Sequence, residues 1–83
     1  MNLSVVIVAF KSAHLLEKLI LSIPKKYEVI IIENSLDKEI KNNFEKYENV
    51  QVIIPKENLG YGKTFNLGLG MSKNNFTLII YVK

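Results

Sequence analysis

The chain has no cysteine, no tryptophan and one histidine, and all of its basic residues are lysine. Without cysteine there is no disulfide, no zinc–thiolate site and no cysteine nucleophile. Without arginine there is no guanidinium fork for bidentate phosphate or base contacts, and the eleven lysines are spread along the chain rather than clustered. A net charge of +3 on that pattern reads as a solvated surface and not as a nucleic-acid-binding face. No apolar run approaches the ~20 residues of a membrane span, and the N-terminus lacks the charged start and small-residue cleavage site of a signal peptide. The default expectation is a soluble protein of the cytoplasm.

Eighty-three residues with 48% hydrophobic content make one small globular domain or part of one. Val5-Val6-Ile7-Val8, within Leu3 to Phe10, is β-branched without alternation, as suits a strand covered on both faces. Ser12 is placed to cap a helix whose Leu16, Leu19, Ile20 and Ile23 form one apolar stripe, stopped by Pro24. A second buried-type strand runs from Tyr27 to Ile32. The polar turn Glu33-Asn34-Ser35-Leu36-Asp37 follows, with Asp37 placed to cap a helix carrying Ile40, Phe44 and Tyr47 on one side.

Val50 to Ile54 reads as a third strand, closed by Pro55. A glycine-rich loop then leads into a helix from about Gly62 to Ser72. Gly68 and Gly70 inside that helix each cost roughly 1 kcal/mol relative to alanine, which points to a need for space such as close packing on the sheet. After the turn Lys73-Asn74-Asn75, Phe76 to Val82 reads as a fourth strand. Strand and helix alternate throughout, so the expected fold is a three-layer α/β/α sandwich, with a parallel sheet of about four strands and right-handed crossovers. Ligands of such sheets bind beyond the carboxyl ends of the strands. Lys11-Ser12, Glu33-Asn34-Ser35 and Glu57 to Gly62 gather on that rim.

Two phosphate-binding patterns fail. Gly62-Lys63-Thr64 resembles the end of a P-loop, but Glu57 stands where that pattern needs its first glycine. The loop after the first strand, Ala9 to Ser12, has no glycine and so lacks the dinucleotide fingerprint. His14 has no partner in sequence and reads as structural or exposed. Asn58 and Asn66 read first as turn and capping residues, and Gly60 as a left-handed turn residue. Glu33 is either a ligand-facing carboxylate or an exposed loop residue. Tyr61 either stacks on a base or packs on its loop.

Three elements in order resemble family 2 glycosyltransferases. Val5-Val6-Ile7-Val8-Ala9-Phe10-Lys11 is similar to the opening strand V-x-I-V-x-Y-N of that family. Glu33-Asn34-Ser35-Leu36-Asp37 is similar to its D-N/D-x-S-x-D element with one residue fewer. Asn58-Leu59-Gly60-Tyr61-Gly62-Lys63-Thr64-Phe65-Asn66-Leu67-Gly68 is similar to N-x-G-x-x-x-A-x-N-x-G, the most specific of the three. The resemblance covers essentially residues 1–83, read as a single partial domain: the N-terminal nucleotide-sugar-binding half of a GT-A, Rossmann-like fold with strand order 3-2-1-4.

By that resemblance Ala9, Phe10 and Lys11 line a nucleotide pocket. Glu33, with Ser35 beside it, takes the place of the acidic residue that bonds the base or ribose. Asn58, Gly60 and Lys63 belong to the loop over the base and first phosphate. Lys11 stands for the usual Asn and Glu33 for the usual Asp. The implied activity is inverting transfer of a sugar from a UDP- or dTDP-type donor to a hydroxyl acceptor. Full-length relatives hold Mg²⁺ or Mn²⁺ on a D-x-D-type motif after the fourth strand, and the chain reaches Lys83 where that motif begins. The expectation is a fragment without a metal motif or catalytic base, binding no cofactor alone and inactive by itself. With an apolar fourth strand at the sheet edge, it is also expected to form a homodimer or higher oligomer near Leu78–Val82. A stand-alone nucleotide-binding module and a purely self-associating module are the alternatives.

Overall fold

The structure is a computed structural model that describes residues 3–11, 13–35, 38–55, 63, 66, 70 and 76–82. Along the chain it runs β1 (Leu3–Ala9), α1 (Ala13–Ser22), β2 (Glu28–Glu33), α2 (Lys38–Phe44), β3 (Val50–Ile53) and β4 (Phe76–Val82). The four strands form one parallel sheet in the order β3-β2-β1-β4, the order that the resemblance implies. The proposed caps Ser12 and Asp37 lie outside the described residues. So does the helix expected over Gly62 to Ser72, except at Lys63, Asn66 and Gly70, which have helical backbone and are exposed.

Runs of β-branched residues sit where the sheet is covered twice. From Ser4 to Ala9 in β1 and from Val29 to Glu33 in β2 every residue is buried, because each strand has a neighbour on both sides and cover on both faces. On one face Val5, Ile7, Val29, Ile31, Val50 and Val52 form a single core with Leu16 and Ile20 of α1 and Ile40 and Phe44 of α2. The expected stripe of α1 holds, with Leu19 and Ile23 packed at its margins, and Tyr47 joins the core just beyond the end of α2. Val6, Ile30 and Ile32 are buried on the second face, with Ile53 and Ile79 beside them.

Both α1 and α2 lie on the first face for a topological reason. The crossovers β1-to-β2 and β2-to-β3 step the same way across the sheet, and right-handed connections that step the same way land on the same face. Strand β4 lies on the other side of β1, so the stepping direction reverses between β1 and β4. That reversal is the switch point of the sheet. As an edge strand β4 is less covered than its sequence alone suggests, with Phe76, Leu78 and Tyr81 exposed.

The reading of Gly70 is corrected. A Cβ placed there meets no heavy atom within 4 Å, so close packing does not require a glycine. Gly70→Ala is therefore expected to stabilise the fold by about 1 kcal/mol, by limiting the unfolded backbone and favouring helix. A urea titration that shows no rise in the midpoint would refute this.

Candidate functional site at the carboxyl rim of the sheet

At the rim, β1 and β2 are tied together by their own backbones. Asn34 N–H donates to the carbonyl of Ala9 at 2.8 Å, one step beyond the last register pair, Ala9 with Glu33. On the other side Phe10 N–H donates to the carbonyl of Val82 at 3.2 Å, which brings the end of β4 to the same place. The ends of β1, β2 and β4 thus converge at the switch point, where open α/β sheets bind ligands. The N-terminus of α1 follows directly on the same side.

The chain leaves β1 through a left-handed residue. Lys11 has φ of 52°, uncommon for any residue except glycine and, less so, Asn or Asp. This sharp reversal lets α1 start two residues later and presents Lys11 N–H to Ser35 Oγ at 3.4 Å. The Lys11 side chain is exposed, with Nζ 5.5 Å from the centre of the Phe10 ring, within reach of a cation–π contact. Lys11→Asn should relieve part of the left-handed strain and stabilise the fold by about 0.5–1 kcal/mol, read as a higher denaturation midpoint. A lower midpoint would mean that the Lys11 side chain stabilises the turn by more than its backbone costs.

Glu33 is the last residue of β2 and 0% exposed. This corrects the alternative that placed it as an exposed loop carboxylate. Its oxygens Oε1 and Oε2 each lie 2.7 Å from Ser35 Oγ. A hydroxyl has one proton, so Ser35 donates to one oxygen at a time while its own oxygen accepts from Lys11 N–H. The chain of contacts Lys11, Ser35, Glu33 holds a desolvated carboxylate in a fixed place, which a buried charge requires.

Among the sequence-predicted site residues, Ala9, Phe10, Lys11, Glu33 and Ser35 therefore meet at one rim. Lys63 is exposed with helical backbone, and Asn58 and Gly60 lie outside the described residues. Sequence reasoning placed Asn34 on this rim without giving it a role in the site, and it left out Val82. Asn34 is almost fully buried and carries the tie to Ala9, and its place in the motif between Glu33 and Ser35 was the available signal. Val82 contributes only a carbonyl, which no side-chain pattern reveals.

Clefts formed by described residues lie elsewhere. One of about 550 Å³ is lined by Lys25, Lys46, Tyr47, Glu48 and Asn49, at the opposite rim where β2 and β3 begin. Another of about 380 Å³ lies between the two helices, at His14, Glu17, Asn43 and Phe44. Their charged groups are on exposed side chains, without the convergence of buried polar groups seen at the carboxyl rim. Among the described residues no cluster of three His, Asp or Glu could hold a metal ion. No helix in the described residues is long and apolar enough to cross a membrane.

The sequence profile of Glycosyl transferase family 2 matches residues 4–82. The chain belongs to that family. No curated protein matches it. The match spans the four described strands and their ends at the carboxyl rim.

Proposed function

We propose that this family 2 glycosyltransferase domain binds the nucleotide end of a UDP- or dTDP-sugar at the carboxyl rim and does not transfer the sugar by itself. The observation that carries the reading is the buried Glu33 carboxylate, oriented by Ser35 at the sheet's switch point. A carboxylate so held accepts hydrogen bonds from a ring N–H or from ribose hydroxyls. Folding has already met the cost of removing it from water, so binding does not meet that cost again. The exposed ammonium groups of Lys11 and Lys63 are suited to the charge of a diphosphate.

A divalent cation, Mg²⁺ or Mn²⁺, is expected in full-length relatives, where it would neutralise the leaving diphosphate. The described rim does not fit one. Its carboxylate, Glu33, has both oxygens against Ser35, and no group of three His, Asp or Glu among the described residues could hold a metal ion.

The test is calorimetric titration of the purified chain with UDP, UDP-sugars and dTDP, with and without Mn²⁺. Saturable binding that is competed by free UDP supports the reading. No heat at millimolar ligand overturns it. The apolar edge β4, with Phe76, Leu78 and Tyr81 exposed, supports a second part of the proposal, that the chain self-associates near Leu78–Val82. Light scattering that shows a monomer at the highest attainable concentration would refute that part alone.

A further inference from the structure

The sheet has two edges, and they are built differently. At β3 the backbone alternates, so that half of its polar groups point away from the sheet. Val29 N–H donates to the carbonyl of Asn49 at 2.8 Å, which fixes the phase: residues 49, 51 and 53 face β2, and Val50 and Val52 face outward. In an ordinary edge strand these outward groups are a template for another strand. Here three of the four, the N–H of Val50 and both groups of Val52, are occupied from within the chain.

Val50 N–H donates to the carbonyl of Tyr47 at 3.1 Å. Val52 N–H donates to Glu45 Oε2 at 2.9 Å. The carbonyl of Val52 accepts from Lys41 Nζ at 3.5 Å. Lys41 Nζ also lies 3.8 Å from Glu45 Oε1, so Glu45 turns one oxygen to the strand and the other to the lysine. Lys41 and Glu45 are one helical turn apart, and Glu45 N–H donates to the Lys41 carbonyl at 3.0 Å, so α2 and its end set the spacing of the pair.

The segment under this clasp is Val50-Gln51-Val52-Ile53-Ile54, β-branched at four positions, uncharged and free of proline and glycine. Such a segment with an open edge is an aggregation hazard. We propose that Glu45, braced by Lys41, is an edge guard that closes β3 to strand addition by a second copy of this chain. This inference does not depend on the nucleotide-binding reading.

The absence of cysteine makes a clean test possible. In a two-fold antiparallel pairing of β3 centred on Gln51, Val50 lies opposite Val52 of the second copy. Residue 51 then faces its own copy in a non-hydrogen-bonded pair, with Cα atoms about 4.5 Å apart, inside the disulfide range of roughly 4.4–6.8 Å. Gln51 is exposed, so a thiol there reports this pairing without disturbing the core. Association through β4 does not bring residue 51 to its copy.

Gln51→Cys alone should give little disulfide dimer under mild oxidation. Adding Glu45→Ala should raise the dimer about tenfold, the factor expected when one buried donor loses its partner and a second strand can supply it. Adding Glu45→Gln, which keeps an amide oxygen as acceptor, should leave the yield near that of Gln51→Cys. Equal dimer yields in all three would overturn the proposal. Amide exchange of the unsubstituted chain gives a reading that needs no variant. Val52 N–H should be protected although it points away from the sheet, and exchange at the rate of an open edge amide would overturn the guard as well.

Discussion

Ile7→Ala is expected to cost about 2–5 kcal/mol, the range for emptying a fully buried aliphatic site. Ile7 lies on β1 between β2 and β4, is 0% exposed, and packs in the same core as Leu16, Ile20 and Ile31. Two neighbouring strands and an overlying helix leave little freedom to collapse into the cavity, which places the site toward the upper end of that range. A domain of this size carries about 4–12 kcal/mol in total, at roughly 0.05–0.15 kcal/mol per residue. Emptying this one site in the central strand can therefore take most of the folded population. Leu21→Ala is the control. Leu21 is 64% exposed on the outer side of α1, and its truncation should change stability by no more than about 0.5 kcal/mol. The measurement is a pair of urea titrations with unchanged slopes. Similar midpoints for the two variants would show that β1 is not the centre of the core.

Glu33→Ala should weaken UDP binding by about 10- to 150-fold, corresponding to roughly 1.5–3 kcal/mol for a hydrogen bond to a charged group. Ser35→Ala should weaken it less, about 2- to 10-fold, because Ser35 orients the carboxylate and leaves the acceptor itself in place. Both variants also touch folding. Removing Glu33 leaves the buried side of Ser35 without its acceptor and opens a cavity, for a loss of about 1–3 kcal/mol. Affinity is therefore compared at a temperature where circular dichroism shows each variant folded. Equal UDP affinity in Glu33→Ala and the unsubstituted chain would remove Glu33 from the nucleotide site, whatever it does for stability. The order Glu33 before Ser35 is the part of this prediction that a purely structural role would not produce.

Much of the fold was legible along the chain because parallel inner strands carry a distinctive composition. Val5 to Val8 and Val29 to Ile32 have no polar alternation, and a strand covered on both faces needs none. The stripe of α1 and the pair Ile40 and Phe44 of α2 were equally open to reading, since helical period alone sets which residues share a face. The rim followed from connectivity: the residues after β1 and β2 must meet at one end of a parallel sheet.

Glu33 shows where that reading stops. Its place at the end of a strand was evident, but whether a strand-end carboxylate is open to solvent or enclosed depends on groups that are distant in sequence. The left-handed turn at Lys11 was hidden for a related reason, because lysine carries no preference for that conformation and the backbone is held there by the contacts around it. The free space at Gly70 is likewise a property of surroundings and not of the residue.

The two edges of the sheet mark the division most clearly. The sequence by itself determined that β3 and β4 are apolar strands of a family 2 domain, through side-chain period and motif order, which are local along the chain. Their place as opposite edges was already implied by the order 3-2-1-4 of the resemblance, and what was left to the tertiary structure is how each edge is finished. It alone turned the outward N–H of Val52 onto Glu45, while Phe76 and Leu78 of β4 were left in the open. The physical reason is that hydrogen-bond satisfaction at an edge depends on distances between separate elements, to which side-chain period is blind.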